Sequence, residues 1–265
     1  MENVIYHQVE AENVKTSYKE YDQIDYIIGF EGRSLMLNSI RLEGNIKVTN
    51  DGTATITDAD DCSMDCKIGA HSVISSCVTQ FQSKGVIENI TDYPRLVKTK
   101  TECDKIENDM LNSNYTCELR SPHQTISNLM IRPVVPVTYG GTAGGKMEQA
   151  VLGLQDSLPS FSIKPHICLN NASGNTRLSV EQSGAVKLTF TLERNMGVLH
   201  GRNLIAGNTY QYELSNLRVC YMSSPPQKPQ EVSMRCSVGL KSSINSAFSN
   251  TSSKVPAVCD SVSVS

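Results

Sequence analysis

The sequence predicts an all-β fold, an antiparallel sandwich of Greek-key or jelly-roll type, on three observations. Apolar and polar residues alternate in a series of short runs; clusters of Gly, Pro, Asn and Ser separate those runs; and helical spacing is confined to one stretch. The clearest run is Ile40–Thr49, where Ile40, Leu42, Ile46 and Val48 fall on alternate positions and Arg41, Glu43, Lys47 and Thr49 fill the opposite face. Such a period of two marks a strand with one buried and one wet face. The alternation reads as slipping once, at Gly44–Asn45, where a glycine would suit a bulge. Asn50-Asp51-Gly52 then supplies residues that tolerate the positive φ of a tight hairpin turn.

Taken in order, residues 1–22 are polar without clear period and read as an N-terminal arm. Ile24–Phe30 is short, apolar and β-branched, and Thr53–Thr57 alternates again. Asp58–Lys67 reads as an acidic loop, and His71–Gln82 suits either a strand or the start of a helix. Between residues 108 and 157 the character changes. Pro122, Pro133, Pro136 and the cluster Gly140–Gly145 interrupt any long element, and Lys146–Leu158 carries a helical stripe. Strand patterning resumes with Phe161–Leu169, Ala185–Leu192, Tyr210–Tyr221, Val232–Val238 and Val255–Val264. The expected organisation is therefore an arm (1–22), a first part of the sandwich (23–107), an insertion (108–157) and a second part (158–265).

Composition narrows the function. The 265 residues are enough for one sizeable core, with 39% hydrophobic and 19% charged residues and a net charge of −3. Nothing here supplies the clustered cationic footprint that nucleic-acid binding needs. The densest basic stretch, Arg95, Lys98 and Lys100, is flanked by Asp92, Glu102 and Asp104 and reads as a solvated face. No apolar run reaches the roughly 18 residues of a membrane span. The first residues lack the basic and apolar regions of a secretory signal, so the nine cysteines are expected as reduced, mostly buried thiols.

Four arrangements invite a chemical reading. Gly140-Gly-Thr-Ala-Gly-Gly-Lys146 has the spacing of a phosphate-binding loop, but Met147 stands where Mg²⁺ chemistry requires Ser or Thr, and Pro133 and Pro136 spoil the preceding strand. Cys62, Cys66, His71 and Cys77 offer four soft ligands within sixteen residues, at spacings wider than a zinc knuckle. Asp58, Asp60, Asp61 and Asp65 miss the pattern of a Ca²⁺ loop. His7, His71, His123, His166 and His200 lack a nearby carboxylate in sequence, and His166 reads as an exposed strand residue. The expectation is of no catalytic, cofactor or metal residues, and of no enzyme.

Several blocks together resemble the penton (vertex, minor capsid) proteins of virophages and Polinton-like double-stranded DNA viruses. Phe30–Gly44 is similar to that family's first strands, and Ile68–Ser72 with Val86–Arg95 to its second block. Phe161–Pro165, Gly184–Leu188 and Tyr210–Tyr221 are similar to its later strands, while residues 106–157 match poorly. The resemblance implies a single jelly roll with an insertion between strands, forming a homopentamer at the vertices of an icosahedral capsid. It implies a virion location, assembly in the host cytoplasm or a viral factory, and the double jelly-roll major capsid protein as neighbour. It brings no catalytic residue. A jelly-roll receptor- or carbohydrate-binding module is the alternative.

Overall fold

The computed structural model describes residues 3–30, 32–50, 54–55, 62–65, 68–103, 117–119, 160–172, 176–201, 210–228, 232–237 and 259–264. The expected insertion, the glycine cluster 140–146 with its helical stripe, and Asp58, Asp60 and Asp61 lie outside these residues. Eight strands build the framework: β1 (Ile5–Glu10), β2 (Gln23–Ile28), β4 (Arg41–Asn50), β7 (Ile74–Phe81), β8 (Gly85–Ile90), β9 (Ser160–Ile163), β11 (Val186–Leu192) and β13 (Tyr210–Ser224). Shorter strands accompany them: β3 (Ser34–Met36), β5 (Ala54–Thr55), β6 (Cys62–Met64), β10 (Arg177–Ser179), β12 (Leu199–Gly201), β14 (Val232–Ser237) and β15 (Cys259–Val264).

Every pairing is antiparallel. One sheet runs β1-β13-β4-β9, extended by β3, β5 and β10, and the other runs β2-β11-β7-β8. Each sheet interleaves early and late strands, so no two sequence neighbours among the eight pair except β7 and β8. Two interlocked Greek keys over two sheets make a jelly roll. The all-β jelly-roll expectation is met, and both sheets feed one core: Leu42, Ile46, Tyr212 and Val219 from the first, Tyr26, Phe81, Leu188 and Phe190 from the second. Tyr26 and Phe190 meet edge to face at 6.1 Å, a geometry that adds to their burial.

Several readings of the sequence change in three dimensions. Residues 5–10 are an edge strand rather than an arm, paired with β13 from Ile5–Ser223 to Glu10–Arg218. Their polarity fits an edge position: only His7 and Val9 turn toward the protein, and Val9 packs on the core. The supposed slip at Gly44 is no slip. Leu42, Gly44, Ile46 and Val48 all occupy buried positions, and the irregularity sits across the ladder in β13, between Ser215 and Arg218. There Asn216 adopts φ 51° and Leu217 swings inward, with its Cδ2 only 2.5 Å from where a Cβ on residue 44 would stand. Glycine at 44 thus makes room for the partner's bulge.

Phe161–Leu169 is not one long strand. β9 ends at Ile163, and Cys168–Asn170 forms a 3₁₀ turn, because Pro165 has no N–H to offer a ladder. The buried Asn170 amide takes over the pairing: its Nδ2 donates to the Ile40 and Pro165 carbonyls at 2.9 and 2.8 Å, and its Oδ1 accepts from Ile40 N–H at 3.2 Å. His71–Gln82 resolves into a 3₁₀ turn, Gly69–Val73, followed by β7. The basic stretch becomes helix α1 (Tyr93–Cys103), which buries Tyr93 and Val97 and leaves Arg95 and Lys98 outside, as a solvated face should.

Two predictions follow from the packing. Phe190→Ala, which empties a fully buried ring position, should destabilise the fold by about 3–5 kcal/mol in denaturant unfolding. Gly69→Ala should cost roughly 2 kcal/mol or more, because φ is +50° and a Cβ would overlap the carbonyls of Glu118 and Leu119.

Candidate functional site

Three places gather functional groups: an aromatic–histidine network under the sandwich end, a buried thiol–carboxylate group, and the outer edge at β1.

The network centres on His71, fully buried in the turn before β7. Its Nδ1 lies 2.9 Å from the Tyr93 hydroxyl, which also accepts the His166 backbone N–H at 3.1 Å. Its Nε2 is 3.6 Å from the Glu118 carboxylate, and the His166 ring centroid is 5.4 Å away. If Tyr93 O–H donates to Nδ1, the ring proton is on Nε2, on the side of Glu118 but beyond hydrogen-bond distance of its carboxylate. A carboxylate–imidazole–hydroxyl row is chemically suggestive. Here, however, the hydroxyl is Tyr93, itself fully buried, so the row joins elements rather than presenting a nucleophile. It ties the turn before β7, helix α1, the segment after β9 and residues 117–119. His166 is half-buried in a loop, not an exposed strand residue, because Pro165 ends the strand before it.

The second group joins Glu88 on β8, Cys168 in the 3₁₀ turn and Cys236 on β14. All three are buried, with ligand atoms within 4.8 Å of one another. Glu88 Oε2 accepts the Cys168 backbone N–H and Oε1 accepts that of Ser237, each at 2.7 Å. Burial pushes the Glu88 carboxyl above its usual range, against the pull of those two donors. Hydrogen bonding to Cys236, then burial, push the Cys168 thiol well up. The four-ligand cluster read from the sequence does not form this way: Cys77 points into the core from β7, His71 belongs to the network above, and Cys66 lies outside the described residues. Glu88 escaped notice in the sequence, although it occupies an inward slot two residues before the buried Ile90, the wrong place for an unassisted charge.

At the edge, Val4 just before β1 and Ile5 and Tyr6 on it are exposed beside Met222, which pairs directly with Tyr6. Inward, His7 stacks on Tyr221 at 4.8 Å and its Nε2 meets Ser223 Oγ at 2.7 Å, a hydroxyl that also accepts from Arg33 Nε at 2.7 Å. Burial, then the Arg33 charge, hold His7 below its ordinary value of 6.5. A groove of about 710 Å³ opens near the other end of this strand, lined among others by Tyr18, Glu43, Gly44, Phe161, Leu217 and Arg218. No helix of the described residues is long and apolar enough to cross a membrane.

The His7 contacts set a pH dependence. The folded state favours neutral His7, while the unfolded chain takes up a proton near pH 6.5, so this contribution is present above that value and lost on acidification through the lowered folded value. Stability should therefore fall as the pH is lowered through 6.5 and below, and His7→Gln should flatten that slope in denaturant midpoints measured on either side of that value.

No protein-family model matches the sequence, and no curated protein matches it. Among solved structures, a chain of the Sputnik virophage structure aligns at 9% identity and a TM-score of 0.50, over 89% of this chain and 51% of that one. A crystal structure of PBCV-1 VP54, fitted into a Sputnik reconstruction, aligns at 14% identity and 0.47, over 90% and 48%. The quasi-atomic PBCV-1 capsid aligns at 14% and 0.42, over 92% and 51%. The protein thus spans about half the length of the structures it is similar to, and the Sputnik likeness is one of fold.

Proposed function

We propose that the chain is a structural capsid protein, a non-enzymatic building block of a virion, and that it forms the homopentameric vertex of an icosahedral double-stranded DNA virus. The observation that carries this reading is the single jelly roll itself. β1-β13-β4-β9 over β2-β11-β7-β8 forms one jelly roll among the described residues, a fold similar to that of a chain in the Sputnik virophage structure. The sequence blocks similar to penton proteins map onto that framework: Phe30–Gly44 onto β3 and β4, Val86–Arg95 onto β8 and the start of α1, and Tyr210–Tyr221 onto β13.

A ring of five uses two different patches, one on each side of the subunit. The β1 edge, with Val4, Ile5, Tyr6 and Met222 exposed, is suited to one of them: it offers an open strand edge and a cluster of apolar side chains. The neighbours proposed around such a ring are capsomers of the major capsid protein, met in the cytoplasm or viral factory where virions assemble. Neither nucleic acid nor a membrane is needed as a partner.

Light scattering coupled to size-exclusion chromatography tests the proposal. A particle of five times the 29.0 kDa chain mass is expected, persisting on dilution. A stable trimer would instead favour a receptor- or carbohydrate-binding head. Tyr6→Asp, at a position 55% exposed, should leave folding stability within about 0.5 kcal/mol and shift the pentamer toward monomer.

A further inference from the structure

We propose that Glu88, Cys168 and Cys236 form a structural zinc site that clamps the C-terminal hairpin to the jelly roll.

The three residues come from separate parts of the chain, yet the fold brings them to one buried point. Glu88 lies on edge strand β8, Cys168 lies five residues beyond the end of β9, and Cys236 sits near the end of β14. β14 pairs with β15 and joins the sandwich through one bridge among the described residues, Ala172–Met234, through Val232 and Met234 in the core, and through its contact with this group. Two sulfurs and a carboxylate are a donor set that zinc accepts. Zinc stands about 2.3 Å from sulfur and 2.0–2.2 Å from oxygen, which puts tetrahedral ligand atoms roughly 3.5–3.8 Å apart. Ligand atoms already within 4.8 Å of one another need only small side-chain rotations to reach that spacing.

The carboxylate is prepared for a cation as well. Its two oxygens each accept one backbone N–H, which fixes the plane of the group and leaves each oxygen a further lone pair. One such pair can complete a three-residue set. Backbone donors of this kind are what orient metal-ligating carboxylates elsewhere. A buried carboxylate beside two thiols is otherwise a costly arrangement, since burial disfavours its charge. A divalent cation reverses that cost: both thiols give up their protons to solvent, the ion binds two thiolates and one carboxylate, and the net charge of −1 is met by the two N–H dipoles and the nearby Lys100. The site is enclosed, so the metal would enter as the hairpin docks.

The test uses the full chain, produced in zinc-supplemented medium and purified under thiol reductant. Metal analysis should give about one zinc per chain. Refolding with Co²⁺ in place of zinc should give near-ultraviolet thiolate-to-cobalt charge transfer and the visible bands of a tetrahedral ion. Cys168→Ala and, as an independent removal, Cys236→Ala should each lower bound zinc to about one tenth or less. Cys77→Ala, which removes another fully buried thiol outside the group, should leave it unchanged. Circular dichroism on every variant separates loss of metal from loss of fold. Folded, reduced wild-type protein without zinc would overturn the assignment, as would zinc retained in folded Cys168→Ala or Cys236→Ala.

Discussion

The fold hangs on β13. Its fifteen residues accept β4 along Tyr210–Cys220, β3 at Ser223–Ser224 and β1 along Arg218–Ser223, so one late strand gathers three strands from the first fifty residues. A regular strand of that length would have presented one set of alternate residues to the core throughout. The bulge at Asn216–Leu217 changes the set: Tyr210, Tyr212 and Leu214 face inward before it, and Leu217, Val219 and Tyr221 after it. Gly44 across the ladder is the space that the change of register requires. Two tyrosine hydroxyls then tie this strand to its surroundings, Tyr212 to the Glu193 carbonyl and Tyr221 to that of Gly29 at 2.6 Å.

Around this spine, buried polar groups secure what the sheets do not. His71, Tyr93 and His166 bind the turn before β7, helix α1 and the segment after β9 to one another, and Asn170 substitutes an amide for a missing ladder step beside Pro165. Glu88 does the same for β14, whose backbone it holds from the edge strand of the second sheet. Such groups are stable inside only when their partners are in place, so they fix the connections as firmly as the apolar core fixes the layers.

Much of the fold was legible in the sequence because alternation survives folding. β4, β11 and β13 read as strands from Ile40–Thr49, Ala185–Leu192 and Tyr210–Tyr221, and turn clusters marked their ends. What failed did so for local reasons. Residues 5–10 carry too little apolar pattern to show as a strand, since an edge position buries only one face partially and pairs on one side. Helix α1 was hidden because eleven residues with two buried positions give a weak period. Gly44 was visible as an irregularity, but which strand would absorb it depends on β13, more than a hundred residues away, and Pro165 was read inside one continuous strand. The interior clusters were less legible still. Glu88, Cys168 and Cys236 span 148 residues and share no spacing that a motif could encode.

Amide hydrogen exchange resolved along the chain tests the central role of β13 most directly. If the strand is the shared spine, amides of Leu214, Val219 and Tyr221, with their partners Leu42 and Ile46 on β4, will exchange only through global unfolding and will have the highest protection in the molecule. Amides of β8 and β14 will open earlier. Faster exchange along β13 than along β8 would contradict the account, because a strand that opens before the sheet edge cannot be what holds the sheets in place.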